Sequence, residues 1–147
     1  MENENRRIIA ESVLKQNGIY EPIFLGQGME GCVFHDEQYA YKVFCDMNGK
    51  QSYTQSIVRP RCVGRHFYEY EYRKMSDYIV GVRKYEKGDV LTTFSEDEAT
   101  TLLVEMWQMH FYLIDIKPEN CIRNENGDIM CFDCTPNTKM GIILPKI

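Results

Sequence analysis

The sequence predicts an α+β fold: a five-stranded antiparallel sheet with one packed helix, followed by a short remainder that begins as a helix. Three observations predict it. Five short runs of apolar, aromatic and β-branched residues are separated by glycine or polar turns. One stretch among them, from about Cys62 to Ser76, carries its apolar and aromatic residues at helical spacing. After the fifth run, Ser95-Glu-Asp-Glu98 has the form of a capping box, in which Ser95 caps the helix and Glu98 reaches back.

Arg6 to Gln16 reads as a short amphipathic helix, with Ile9, Val13 and Leu14 on one face and Gly18 as its stop. That face suits packing on the sheet, with a partner-binding arm as the other reading. Tyr20–Gly26 and Cys32–His35 read as two strands around a glycine turn, and Asp36-Glu-Gln38 leads tightly into a third, Tyr39–Phe44. Cys45 to Pro60 is polar and aperiodic, a loop. The helix expected over 62–76 lines up Phe67, Tyr70, Glu71, Met75 and Tyr78 in one stripe. Val80–Glu86 and Asp89–Phe94 read as a hairpin turning at Lys87-Gly88, which completes the five strands. The helix opened by Ser95 carries Ala99, Leu102, Leu103, Met106 and His110 on one face. Cys121–Asn124 and Ile129–Phe132 form a further hairpin turning at Asn126-Gly127.

A chain of 147 residues has room for one domain with a modest core. Its hydrophobic content of 44% argues against disorder. A net charge of −5 argues against nucleic-acid binding over the whole surface. Arg59, Arg61 and Arg65 form a local basic stretch that reads as a solvated loop. No apolar run is long enough to span a bilayer, and the opening Met-Glu-Asn-Glu-Asn-Arg-Arg lacks the apolar centre of a signal peptide. A cytoplasmic-type protein is expected, with no membrane partner. Six cysteines without a secretory signal suggest free thiols. Cys131-x-x-Cys134, with Cys121 upstream, has metal-like spacing, but a zinc site wants four ligands and no second pair matches.

Two stretches carry chemistry. Gly26-Gln-Gly28-Met-Glu-Gly31-Cys-Val33 lets the backbone close over an anion and turn its N–H groups inward, because three positions lack a Cβ atom. Tyr39-Ala-Tyr-Lys42 follows on the next strand, where a lysine among apolar neighbours is costly unless it is paired. Asp115-Ile-Lys-Pro-Glu-Asn120, with Asp133 thirteen positions further on, gathers a proton acceptor, a cation and two metal-binding oxygen groups. Magnesium prefers few protein oxygens plus phosphate and water, which an Asn/Asp pair suits.

In this order, from Leu25 to Asp133, the motifs resemble the protein kinase family: the G-x-G-x-x-G-x-V loop, V-A-I-K and D-L-K-P-E-N. The resemblance implies a kinase-like fold, with an N-terminal lobe over 19–94 and a severely reduced helical lobe over 95–147. It implies ATP and Mg²⁺ as ligands. Gly26, Gln27, Gly28, Met29, Glu30 and Gly31 would cover the phosphates, and Val33 and Ala40 would lie over adenine. Lys42 would hold the α- and β-phosphates and pair with a helix glutamate, Glu71 or its neighbour Glu69. Asp115 would accept the proton of the attacking hydroxyl, Lys117 would neutralise the transferring group, and Asn120 and Asp133 would hold magnesium. Lysine two positions after the aspartate is similar to the serine/threonine branch.

The chain also departs from the pattern. Leu113-Ile114 stands where the family has His-Arg, and Cys134-Thr135 stands where it has Phe-Gly. Fourteen residues follow Asp133, too few for an activation segment and the helices of a full lower lobe. The expectation is a minimal or truncated serine/threonine protein kinase without loop-phosphorylation control, acting on a protein substrate. Its economy is similar to the reduced kinases that some bacteria deliver into host cells. The alternative is a pseudokinase that binds nucleotide or a partner without transfer. A small-molecule kinase is the third reading, against which Lys117-Pro118-Glu119 argues. A partner protein, or the substrate, is expected to complete the lower side.

Overall fold

Residues 6, 10, 13 and 14 recur at helical spacing, and their side chains are the ones the first helix buries. The computed structural model describes residues 3–28, 31–45, 64–68, 70–109, 114–132 and 135–136. The molecule is α+β, with a five-stranded antiparallel sheet and two helices among the described residues. It divides into two compact units, Met1–Val58 with Tyr70–Tyr85, and Arg59–Glu69 with Glu86–Ile147. Among the described residues, no helix is long and apolar enough to cross a membrane.

In the first unit, α1 (Asn3–Gln16) ends where Gly18 takes φ +93° and Ile19 N–H donates to Leu14 O at 3.0 Å. A positive φ at this position is a glycine's natural role. The strands are β1 (Ile23–Gln27), β2 (Gly31–His35), β3 (Tyr39–Phe44), β4 (Glu71–Met75) and β5 (Tyr78–Lys84), in the order β1-β2-β3-β5-β4. Ala10, Val13 and Leu14 of α1 pack with Cys32, Phe34, Tyr41, Val43, Val80 and Val82, one face of the sheet. Each fully buried valine or leucine there contributes about 1.5–3 kcal/mol. The β2–β3 connection is held by Asp36, whose Oδ1 accepts from Tyr39 N–H at 2.8 Å and Gln38 N–H at 3.1 Å, while Glu37 takes φ +75°. Tyr41 Oη donates to the other carboxylate oxygen at 2.8 Å.

Two sequence expectations are corrected here. The described part of 62–76 is not helical: Gly64 and Phe67 form an isolated bridge, and Glu71–Met75 is strand β4. Ser76 and Asp77, at φ +48° and +65°, make the two-residue turn that folds β4 back on β5. Two consecutive positive-φ residues match the right-handed twist of a hairpin, and the resulting ladder outweighs the helical stripe. The turn is also tied to α1, through Asn17 Nδ2 donating to Ser76 Oγ at 2.9 Å. The second correction follows from the first. β5 already has β3 and β4 as neighbours, so it has no free edge for the strand expected over 89–94. Gly88–Val90, strand β6, pairs instead with Cys121–Asn124.

The second unit is built on α2 (Glu96–Gln108) and a small three-stranded sheet of β6, β8 (Cys121–Asn124) and β9 (Ile129–Cys131). The expected capping box is formed: Glu98 N–H donates to Ser95 Oγ at 3.1 Å, and Ser95 N–H to Glu98 Oε1 at 3.0 Å. Ala99, Leu102 and Met106 of α2 are buried with Phe67, Leu91, Phe94, Ile116 and Ile129. Burial alone would raise the Glu98 carboxyl. The Ser95 N–H and the Arg123 guanidinium at 2.7 Å outweigh it and hold Glu98 below its ordinary value. The β8–β9 turn has Gly127 at φ +81°, and Asn124 Oδ1 accepts from the N–H groups of Asn126 and Asp128. Two further strands, β7 (Ile114–Asp115) and β10 (Thr135–Pro136), pair antiparallel.

Candidate functional site

The strand register decides which side chains of the first unit share a face. Residues directly opposite each other across a ladder lie on the same side of a sheet. Gly26 pairs with Val33, Val33 with Lys42, Lys42 with Gly81, and Gly81 with Tyr72. One row therefore crosses all five strands and has Lys42 at its centre. Ala40 and Phe44, two residues either side of Lys42, share its face, opposite the face that α1 covers. Lys42 is 7% exposed, and its Nζ lies 5.0 Å from the centre of the Phe44 ring. Ala40 is fully buried and Val33 half-buried. Tyr70 lies against Gly81, where an added Cβ would meet its ring at 2.9 Å.

The glycines divide by reason. At Gly31 a Cβ would come within 2.0 Å of Val43 O, so the close approach of β2 to β3 demands glycine. Among the described residues, nothing lies within 4 Å of an added Cβ at Gly26 or Gly28, and neither residue has a positive φ. No described residue requires glycine at those two positions. Gln27 ends β1, and Gly28 N–H donates to Gly31 O at 3.0 Å across the turn. Met29 and Glu30 lie outside the described residues.

Arg6 escaped the sequence reading. It is 1% exposed, and its guanidinium donates to Cys45 O at 2.7 Å and to Gly28 O at 2.6 Å. It thus ties α1 to the end of β3 and to the glycine turn. The available signal was its spacing: position 6 falls on the stripe of Ala10, Val13 and Leu14. The Cys32 thiol on the same side is pushed up, by burial first and by Cys45 next, against the opposing pull of Arg6.

Glu71 does not do what its expected helix would have allowed. On β4 it pairs across the ladder with Val82, while its neighbour Tyr72 occupies the row of Lys42. Alternation therefore turns Glu71 to the face opposite Lys42. Its side chain is 73% exposed and 3.6 Å from Arg73 Nε. Glu69 lies outside the described residues, as do Arg59 and Arg61; Arg65 is exposed.

In the second unit, Asp115 is the last residue of β7, and its backbone pairs with Thr135. Ile116 is buried, Lys117 is exposed, and Pro118–Asn120 turns through one 3₁₀ step, with Asn120 N–H donating to Lys117 O at 3.0 Å. Proline at the first position suits that turn, since its missing N–H would have had no partner there. Asn120 is half-buried, and its carbonyl accepts from Phe132 N–H at 2.8 Å. Asp133 follows Phe132 directly; it lies outside the described residues, as do Cys134 and His110. Cys121 and Cys131 face each other across the β8–β9 ladder, both fully buried.

No protein-family model matches this chain, and no curated protein matches it.

Proposed function

We propose that the chain binds Mg-ATP and transfers the γ-phosphoryl group to a serine or threonine hydroxyl of a protein, as a minimal protein kinase-like enzyme. The observation that carries the reading is the bond from Phe132 N–H to Asn120 O. It ties the backbone of one candidate magnesium ligand to the residue immediately before the other, Asp133. The Asp115–Thr135 pairing brings the proposed proton acceptor's backbone to the same stretch of chain. In the first unit, support comes from a buried lysine flanked across the sheet by Val33 and the small Gly81, on a face it shares with Ala40. Further support comes from two glycines that no described residue crowds, as expected where a phosphate approaches the backbone.

In this reading the backbone around Gly26–Gly31 cradles phosphate, and Lys42 binds the α- and β-phosphates. Asn120 and Asp133 hold the magnesium that neutralises developing charge. Asp115 accepts the hydroxyl proton, and Lys117 stabilises the transferring group. A protein partner, or the substrate itself, would complete the surface for the acceptor hydroxyl.

One observation favours the second reading, a nucleotide-binding module without transfer: Glu71, one of the two glutamates expected to pair with Lys42, faces away from it. Incubation of the chain with γ-labelled ATP, magnesium and a lysate of candidate substrates separates the two. Transfer that Asp133→Ala abolishes supports the enzyme. Nucleotide binding with no transfer supports the module, and absence of both rejects the nucleotide site.

A further inference from the structure

The β8–β9 hairpin places two cysteines where a covalent bond between its strands needs little movement. The ladder hydrogen bonds that bracket them are Phe132 N–H to Asn120 O at 2.8 Å and Asn124 N–H to Asp128 O at 2.9 Å. Alternation along an antiparallel pair then makes Cys121 opposite Cys131 a non-hydrogen-bonded position. Their other backbone bonds agree: Cys121 O accepts from Leu91 N–H, Cys131 N–H donates to His66 O, and Cys131 O accepts from Tyr68 N–H. Every one of these partners lies outside the β8–β9 pair. At such positions opposed Cα atoms are about 4.5 Å apart, within the span of about 4.4–6.8 Å that a disulfide bridges. The side chains already meet, with Sγ atoms 2.9 Å apart. Both residues are fully buried.

We infer that Cys121 and Cys131 are a latent modification site, oxidised to a cross-strand disulfide by peroxide. One thiol loses its proton and its thiolate attacks the peroxide, breaking the O–O bond to leave a sulfenic acid and a hydroxide, which takes up that proton and leaves as water. The second thiol attacks the sulfenic sulfur, the S–S bond forms, and a second water leaves. Two thiols and one peroxide thus give one disulfide and two waters. The bond joins the strand that follows Asn120 to the strand that precedes Phe132 and Asp133. It forms whether or not the chain binds nucleotide. Burial shields the pair, so peroxide reaches it through local opening of the hairpin.

The folded 147-residue chain is treated with hydrogen peroxide, its remaining thiols are capped with N-ethylmaleimide, and it is digested with trypsin without reductant. Cleavage after Arg123 separates Cys121 from Cys131, so the bond appears as two joined peptides, two hydrogens lighter than their sum. Fragment ions are expected to place it on Cys131 and not on Cys134, which shares that peptide. The Cys134→Ser chain is expected to give the same link in equal yield. Loss of the Cys121 or Cys131 thiol without a joined peptide would overturn the inference. So would a bond located on Cys134, or complete capping of both thiols after peroxide treatment that oxidises the half-buried Met75.

Discussion

Arg6 shows how one side chain can join elements distant in sequence. It donates to carbonyls at positions 28 and 45 while buried at 1% exposure. Hydrogen bonds from a charged donor are worth about 1.5–3 kcal/mol each, and truncation leaves both carbonyls to find new partners. Arg6→Ala should therefore lower unfolding free energy by about 3 kcal/mol in urea titration, and Arg6→Lys by less, because one bond survives. Asp36 offers a pH test. Burial would push its carboxyl up, but the N–H groups of Tyr39 and Gln38 and the Tyr41 hydroxyl outweigh it and hold it below its usual 3.8. A lowered carboxyl stabilises above that value, and the contribution is lost as pH falls through the lowered one. Asp36→Asn should thus be less stable than the parent at pH 7, and the gap should narrow steadily below about pH 4. Chemical denaturation at both pH values measures it. The Asp36 turn was legible because aspartate before a tight connection has a local role. Arg6 was not, because a helical arginine ordinarily reads as solvated and only its distant acceptors reveal its burial.

Elements were legible wherever their cause was local. The Ser95 capping box, the Gly18 stop and the Asn126-Gly127 turn all formed as expected, since each depends on residues within a few positions. Strand β4 was misread as a helix because Tyr70, Glu71 and Met75 satisfy a helical stripe as readily as they satisfy pairing with β5. The glycine turn between β1 and β2 yields a test at this scale. Gly31→Ala forces a Cβ onto Val43 O, a backbone atom that cannot rotate away, and should cost about 3 kcal/mol or more by separating β2 from β3. Gly26→Ala and Gly28→Ala meet none of the described residues and should change stability by less than about 1 kcal/mol. If the proposed function holds, the same two substitutions weaken Mg-ATP binding at least tenfold in calorimetric titration, separating ligand need from fold need. Equal binding by all three chains would remove the glycine turn from the site.

For the molecule as a whole, the proposed ligand should be visible as stabilisation. Mg-ATP at one hundred times its dissociation constant adds about 2.7 kcal/mol. That corresponds to a rise in Tm of several degrees for a chain of this size, about 2–4 °C per kcal/mol. Asp133→Ala and Lys42→Met should each remove most of the rise. Magnesium omission should do the same, while sodium chloride at equal ionic strength should not restore it. A Tm unmoved by millimolar Mg-ATP in the parent chain would dismiss the nucleotide reading.

From its sequence alone this protein was committed to an α+β fold, to three opening strands around a glycine turn and to a capped second helix. Alternation, turn chemistry and capping act between near neighbours, so the chain carries them in plain order. Tertiary structure alone decided that 71–75 takes the fifth place in the sheet and that 88–90 joins a different one. It also decided that Glu71 turns from Lys42 and that Cys121 meets Cys131. Backbone N–H and C=O groups are alike at every residue but proline, so which edge a strand finds depends on which edges remain free.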